Sequence, residues 1–223
     1  MKKPATQAIA QPTLEMAVGE VCRILLIRHG RSDDVVPGSP ESADPPLHAI
    51  GVKQASAVGQ RLADTTLHAV YSSHLLRAHN TAIAIATHHG LTVGVNEDLE
   101  EIKLGDWGHG EFRRRAATAD PEFMEWTTRG TWDGIPGGEG DAVFRTRVTN
   151  AINSIASRHL GQTVAVVVHG GVINAYIAKM MGSDRTMWLT IENTSITIVK
   201  VGTTSSSIQT INDCQHLYDQ VSL

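Results

Sequence analysis

The chain has 223 residues, 41% hydrophobic and 19% charged, enough apolar material for the core of one ordinary domain and too little charge for a disordered polyelectrolyte. A net charge of −4 without a long basic run excludes nucleic acid and anionic membrane as default partners. No stretch approaches the roughly 20 apolar residues of a membrane span, and the two cysteines, Cys22 and Cys214, make neither a disulfide framework nor a zinc-type spacing, which fits a reducing cytoplasm.

In chain order, residues 1–20 read as a loose N-terminal tail, because Pro4, Gln7, Gln11, Pro12 and Glu15 interrupt any apolar run. Cys22 to Ile27 is a short apolar run, read as a strand covered on both faces, and it ends at Arg28-His29-Gly30. A Pro/Gly/Ser/Asp-rich loop follows to Pro46. Ile50, Val52, Ala55, Val58 and Leu62 then recur at helical spacing between Leu47 and Asp64. His68 to Ser72 reads as a strand, Ser73 as the N-cap of a helix running to about His89, and Leu91 to Val95 as a weaker strand after Gly90. Residues 98–140 are the least regular part and hold three of the four tryptophans, Trp107, Trp126 and Trp132. Within them, about 105–140 reads as a helical, lid-like insertion. Gly140 to His159 is helical, with Val143, Val148, Ile152 and Ile155 expected on one face. Thr163 to Val168 is the clearest strand and ends at His169-Gly170-Gly171, ahead of a helix reaching about Met181. Ser195 to Val201 and Ile208 to Ile211 are expected edge strands, and 214–223 a C-terminal tail, leaving one domain over 21–213.

Strands alternating with helices predict an α/β three-layer sandwich: a mostly parallel central sheet with helices on both faces. In such sheets ligands bind outside the carboxyl ends of the strands. Three strands here end in Arg28-His29-Gly30, in Ser72-Ser73 with Arg77 one turn later, and in His169-Gly170. Helix N-termini after Ser73 and Gly170 are expected to aim backbone N–H groups at an anion. Two arginines and two histidines converging there outline a phosphate pocket.

These segments, in this order, resemble the histidine phosphatase superfamily, the phosphoglycerate mutase-like group (branch 1). Arg28-His29-Gly30 matches its signature, and Pro46 to Ala55, Ser72 to Ala78, Leu99 to Trp107, Pro136 to Glu139 and His169 to Ile173 are similar to its further motifs. The resemblance spans about Ile24 to Val199 and implies a metal-independent phosphatase acting on small phosphorylated metabolites, without a cofactor. It implies His29 as the nucleophile forming a transient phosphohistidine and Arg28 and Arg77 as bidentate clamps on the phosphoryl oxygens. His169, expected protonated, becomes a further donor. Glu101 becomes the acid and base, with a pKa raised by burial near apolar groups such as Trp107. Glu100 is its rival; on an extended segment the two side chains point oppositely, so one faces in and one out. Gly170, Ser32 and Arg31 complete the candidate substrate contacts.

The chain departs from the family pattern at Arg31, where Glu or Gln is common, at Val35 for a phosphate-contacting Asn, at Gly108 for Glu and at Asn174 for Arg. Arg31 either replaces lost donor capacity or faces a second anionic group of the substrate. Cys22 and Arg28 have the Cys-x5-Arg spacing of cysteine-dependent phosphatases, but the residues between them form a strand without glycine and cannot cradle phosphate. No His/Asp/Glu group has metal-ligand spacing. Two other readings stay open: a phosphoglycerate-type mutase or phosphotransferase, and a non-catalytic phospho-ligand binding or regulatory protein. A homodimer is compatible with the sequence, and no feature separates it from a monomer.

Overall fold

In a computed structural model, which describes residues 20–218, one six-stranded sheet runs in the order β3-β2-β4-β1-β5-β6. The strands are β1 Val21–Arg28, β2 Ala69–Ser72, β3 Val93–Val95, β4 Thr163–Val168, β5 Ile196–Gly202 and β6 Ser206–Asp213. The pairs β1·β4, β2·β4 and β2·β3 are parallel, while β5 and β6 join antiparallel. The three-layer α/β sandwich expected from the alternating pattern is therefore present. The apolar runs of β1 and β4 have a simple cause: alternate residues serve opposite layers. Ile24, Leu26, Val164, Val166 and Val168 pack under α5 Asp141–Arg158 and α6 Gly170–Met181. Leu25, Ile27, Ala165 and Val167 pack under α1 Ala49–Leu62 and α2 Leu76–Ala86.

Several local expectations are corrected. β5 is not an edge strand: it lies between β1 and β6, pairing Leu25 with Ile198. Val143 and Val52 are exposed at 61% and 56%, and the buried faces carry Phe144 in α5 and Gly51, Gln54 and Ala57 in α1. Ser73 does not cap α2; Leu75 occupies the cap position, and the Asp44 carboxylate accepts from Leu76 N instead. Residues 214–218, placed in the tail by the sequence, form α7 Gln215–Tyr218, whose Leu217 is fully buried. The N-terminal tail reading falls on residues 1–19, outside the described residues.

The insertion contains one short 3-10 turn, Gly105–Trp107, followed by α3 Glu111–Ala117 and α4 Pro121–Thr127. It has a core of its own, in which Trp107, Phe123, Trp126 and Ile135 are buried with Phe112 and Trp132 against them. Trp107 and Trp126 meet edge to face at 5.2 Å. Such a satellite cluster stabilises the insertion, and Leu104 and Trp132 join it to the sheet core.

Candidate active site

The carboxyl ends of β1 and β4 are neighbours: Arg28 pairs with Val168, and His29 N donates to Val168 O at 2.9 Å. That register brings residues 140 positions apart into contact, and the His29 and His169 rings lie 5.1 Å apart. His29 Nδ1 sits 2.7 Å from Gly30 O. A carbonyl can only accept, so Nδ1 carries the proton and Nε2 keeps its lone pair. Burial lowers the His29 pKa well below the ordinary histidine value, and Arg77 and Arg28 lower it further. The imidazole is held neutral, in one tautomer, with its nucleophilic nitrogen available.

The backbone around His29 is clamped from three sides. Gly30 N donates to Thr81 Oγ1, and Arg31 N donates to Gln54 Oε1. A Cβ on Gly30 would overlap Gly51 O, and one on Gly51 would overlap Arg31 O, so the loop rides directly on the start of α1. From the other side Asn193 Nδ2 donates to His29 O at 2.9 Å and Thr194 N to Arg28 O at 2.9 Å. Thr194 is fully buried at φ +56°, a left-handed conformation costly for a β-branched residue and tolerated only where the surroundings demand it.

Arg28 donates Nη1 to Ile191 O, and its Nε is buried with no hydrogen-bond partner. The Arg77 side chain is 12% exposed and reaches Asp44 Oδ1 at 3.4 Å. Burial lowers both guanidinium pKa values, but from so high a start that both remain cationic. His169 is fully buried, with Nε2 2.8 Å from Ser73 Oγ and Nδ1 without a partner. Burial, reinforced by His29, Arg77 and Arg28, holds its pKa well below the ordinary value. The cationic form expected of His169 is thus opposed by burial and by the neighbouring cations, and only an arriving anion would favour it.

Glu101 accepts from Gly171 N at 3.0 Å and from Ile102 N at 3.0 Å. These bonds and the two arginines favour the carboxylate, yet desolvation is the larger effect and raises its pKa. Glu100 turns outward and pairs with Lys103 at 3.7 Å. The one-in, one-out geometry expected of an extended segment holds, with Glu101 inside. A Cβ on Gly171 would strike Glu101 Oε1 and crowd Trp132 Cζ2, so the glycine permits the close approach. The aromatic ring at this contact is Trp132, whereas Trp107 belongs to the roof core.

The helix N-termini do less than expected. Leu76 N is taken by Asp44 and Gly171 N by Glu101, so protein carboxylates already occupy those amides. Ser32 Oγ accepts from Arg113 Nη2 at 2.8 Å, and Arg31 pairs with Asp34 at 3.1 Å, its side chain 41% exposed. Gly170 lies beside Arg28 and lines a cavity of about 480 Å³ together with Trp132, Asn174, Met187, Trp188 and Leu189. Asn174 bonds Gly170 O and both backbone groups of Leu189, tying the cavity wall to α6. Among the described residues no group of three His, Cys, Asp or Glu side chains is arranged to hold a metal.

The sequence points to the Arg113 to Trp132 region as the pocket roof without naming contacts, and it missed Asp44, Ser73 as a partner of His169 and the Ile191–Thr194 strap. Only Asp44 carried a signal, an acidic residue in the loop that could precede α2 in space, and nothing in the local pattern gives that distance.

Comparison with known proteins agrees with this geometry. Residues 24–214 match the family model of the histidine phosphatase superfamily (branch 1). A metal-independent phosphoserine phosphatase of Arabidopsis thaliana is 31% identical over 203 residues, covering 89% of this chain and 84% of the relative. The adenosylcobalamin/alpha-ribazole phosphatase of Escherichia coli is 31% identical over 170 residues, covering 74% and 83%. The crystal structure of the alpha-ribazole phosphatase from Shigella flexneri superposes with a TM-score of 0.70 at 26% identity, over 90% of this chain and 98% of that one. The sheet-edge geometry and these likenesses agree: the chain belongs to the histidine phosphatase superfamily, branch 1.

Proposed function

We propose that this protein hydrolyses phosphate monoesters of small metabolites through a phosphohistidine on His29, without a metal. The observation that carries the reading is the His29 Nδ1–H···O=C bond to Gly30, which leaves Nε2 unprotonated beside two buried guanidinium groups. In the first step Nε2 attacks phosphorus and the ester P–O bond breaks. Glu101, whose pKa burial raises, gives its proton to the departing alkoxide. In the second step the Glu101 carboxylate takes a proton from water, the water oxygen attacks phosphorus, and the P–N bond breaks to release phosphate. Arg28 and Arg77 hold the phosphoryl oxygens through both steps, and their fixed charges supply the stabilisation a metal ion gives elsewhere. His169, whose Nδ1 has no partner in the protein, serves as a further hydrogen-bond donor to the phosphoryl group. Asp44, Asn193 and Ser73 act as positioning residues.

The activities named for the relatives support phosphatase chemistry on small phosphorylated substrates. Among the described residues no helix is long and apolar enough to cross a membrane; we infer a cytoplasmic enzyme, a reading with which its two free, buried cysteines are compatible. The test is phosphate release from a panel of phosphate esters, with and without a chelator. Release that survives the chelator and disappears in His29→Ala is expected; release abolished by the chelator would contradict the mechanism.

A further inference from the structure

Asp141 opens α5, and its carboxylate is buried, with 5% of the residue exposed. Its Oδ1 accepts from two segments far apart in sequence, from Trp132 N at 3.2 Å and from Thr186 Oγ1. The first donor belongs to the last stretch of the insertion, the second to the loop between α6 and β5. Its Oδ2 lies 3.7 Å from Arg145 Nη1, one turn along α5, and Arg145 Nη2 donates to Ser183 O in the same loop at 2.9 Å. Gly130 O accepts from Thr186 N and Met187 N, and Asp133 Oδ1 accepts from Asp141 N, which closes the knot. Burying a carboxylate costs solvation that so long an ion pair does not recover. An apolar side chain could fill the space but could not receive a donor from each segment.

The knot reaches the catalytic acid through Trp132. The indole Cζ2 stands 3.2 Å from the point where a Cβ on Gly171 would lie, and Glu101 Oε1 is nearer still to the same point. Indole and carboxyl therefore flank Gly171, whose N–H donates to Glu101 Oε2 at 3.0 Å. Arg77 from α2, Arg28 from β1 and the amides of Gly171 and Ile102 all favour the carboxylate, and burial outweighs them. Trp132 is one wall of that burial and also lines the cavity beside Arg28 and Gly170. Its ring leans on Trp126 at 5.7 Å and Phe144 at 6.4 Å, contacts that fill space without fixing a depth. The bond from its own N–H to Asp141 fixes where its backbone sits.

We propose that Asp141 is a positioning residue: by holding Trp132 and Thr186 on one oxygen, it sets the indole against Glu101 and keeps water away from the acid that protonates the leaving group. The inference rests on the reading of Glu101 as proton donor. Asp141 serves by geometry, so Asp141→Asn, which keeps an acceptor at Oδ1, preserves the arrangement, and Asp141→Ala removes it.

Two readouts test this: the alkaline limb of kcat on the alkyl phosphate turned over fastest in the ester panel, and first-turnover release of nitrophenolate from nitrophenyl phosphate, whose leaving group needs no proton. Asp141→Ala admits water beside Glu101, and the carboxyl pKa falls with the lost desolvation. The alkaline limb should then move to lower pH by about one unit. Above it kcat should fall about tenfold, with KM little changed. Nitrophenolate release should change by less than about twofold. Thr186→Val removes the hydroxyl donor with little change of shape and should move the limb the same way by less. Asp141→Asn should leave it in place. In all three variants the loop keeps its backbone bonds to Gly130 O and its ties to Asn174, so the hold on Arg28 persists. A thermal melt shows which variants are folded; if Asp141→Ala is not, Thr186→Val decides. A limb unmoved in the folded variants, or an equal loss on both esters, would overturn the inference and leave the acid reading standing. A limb that survives Glu101→Gln would overturn the acid reading and the inference with it, and absence of turnover on every alkyl ester would overturn the hydrolase reading as well.

Discussion

The sheet edge and the roof of this site are built by different means. At the sheet edge, Arg28, His29 and His169 inherit their positions from a parallel ladder, and the backbone of residues 28–31 is locked by Thr81, Gln54, Asn193 and Thr194. In the roof, Arg113 and Trp132 are carried by short helices and turns whose packing rests on an aromatic cluster of their own. The edge is therefore suited to chemistry that tolerates no misplacement. The roof is suited to choosing a leaving group, because it can change without disturbing the ladder.

The largest expected effect lies at the edge. His29→Ala should lower kcat by roughly 10⁴-fold or more, as removing a covalent nucleophile does elsewhere, and single-turnover phosphate release would show it. Arg77→Ala should lower kcat/KM by roughly 10²- to 10³-fold, for charged and neutral esters alike, since it serves the phosphoryl group common to both. An Arg77 effect confined to one class of leaving group would blur the division between sheet edge and roof.

Glu101 sits where the two regions meet, under Gly171 of the edge and Trp132 of the roof. Glu101→Gln should cost roughly 10²- to 10⁴-fold on alkyl phosphates and much less in the first step with a nitrophenyl ester, whose leaving group departs without a proton. The pH profile has a definite sign. The form required is protonated Glu101 with neutral His29, and burial raises the first pKa while lowering the second. Activity should fall as pH rises through the raised Glu101 value and as it drops through the lowered His29 value, giving a plateau that reaches above the ordinary carboxylate range. Glu101→Gln should remove the alkaline limb.

Trp126→Ala tests the independence of the roof. Truncating a buried tryptophan costs about 3–5 kcal/mol where it acts. Hydrogen exchange should accelerate within residues 105–140 while β1 and β4 stay protected; equal acceleration in both would mean that the two regions form one cooperative unit. The smallest effect concerns acid stability. His29 and His169 have folded-state pKa values below their unfolded values, so the unfolded chain gains protons first as pH falls below about 6.5. Stability should drop by about 1.4 kcal/mol per pH unit for each such proton, and His169→Asn should shallow that slope in a series of thermal melts.

The same division explains what could be read from the amino-acid sequence. Period-2 burial on both faces of β1 and β4 makes continuous apolar runs, and a polar triplet at the end of such a run can only lie at the sheet edge. Arg28, His29 and His169 were legible for that reason, and Glu101 over Glu100 followed from strand alternation and the family motif. Contacts made by loops were not legible. Ser73 looks like a helix cap by local pattern, but it lies beside His169 and leaves capping to Asp44, which comes from a distant loop. β5 looked like an edge strand because its central place depends on pairing with β1, a long-range fact. The charge state of His169 was not legible either, because it depends on the whole buried environment rather than on neighbours in sequence.

The most direct test of the central claim is to quench the enzyme during turnover in alkali, which preserves phosphohistidine, and to map the phosphate by peptide mass. A phosphoryl group on His29, acid-labile and lost on a chase with unlabelled substrate, is the predicted result. Phosphate on another residue, or turnover with inversion of configuration at phosphorus and no phosphoenzyme, would contradict it.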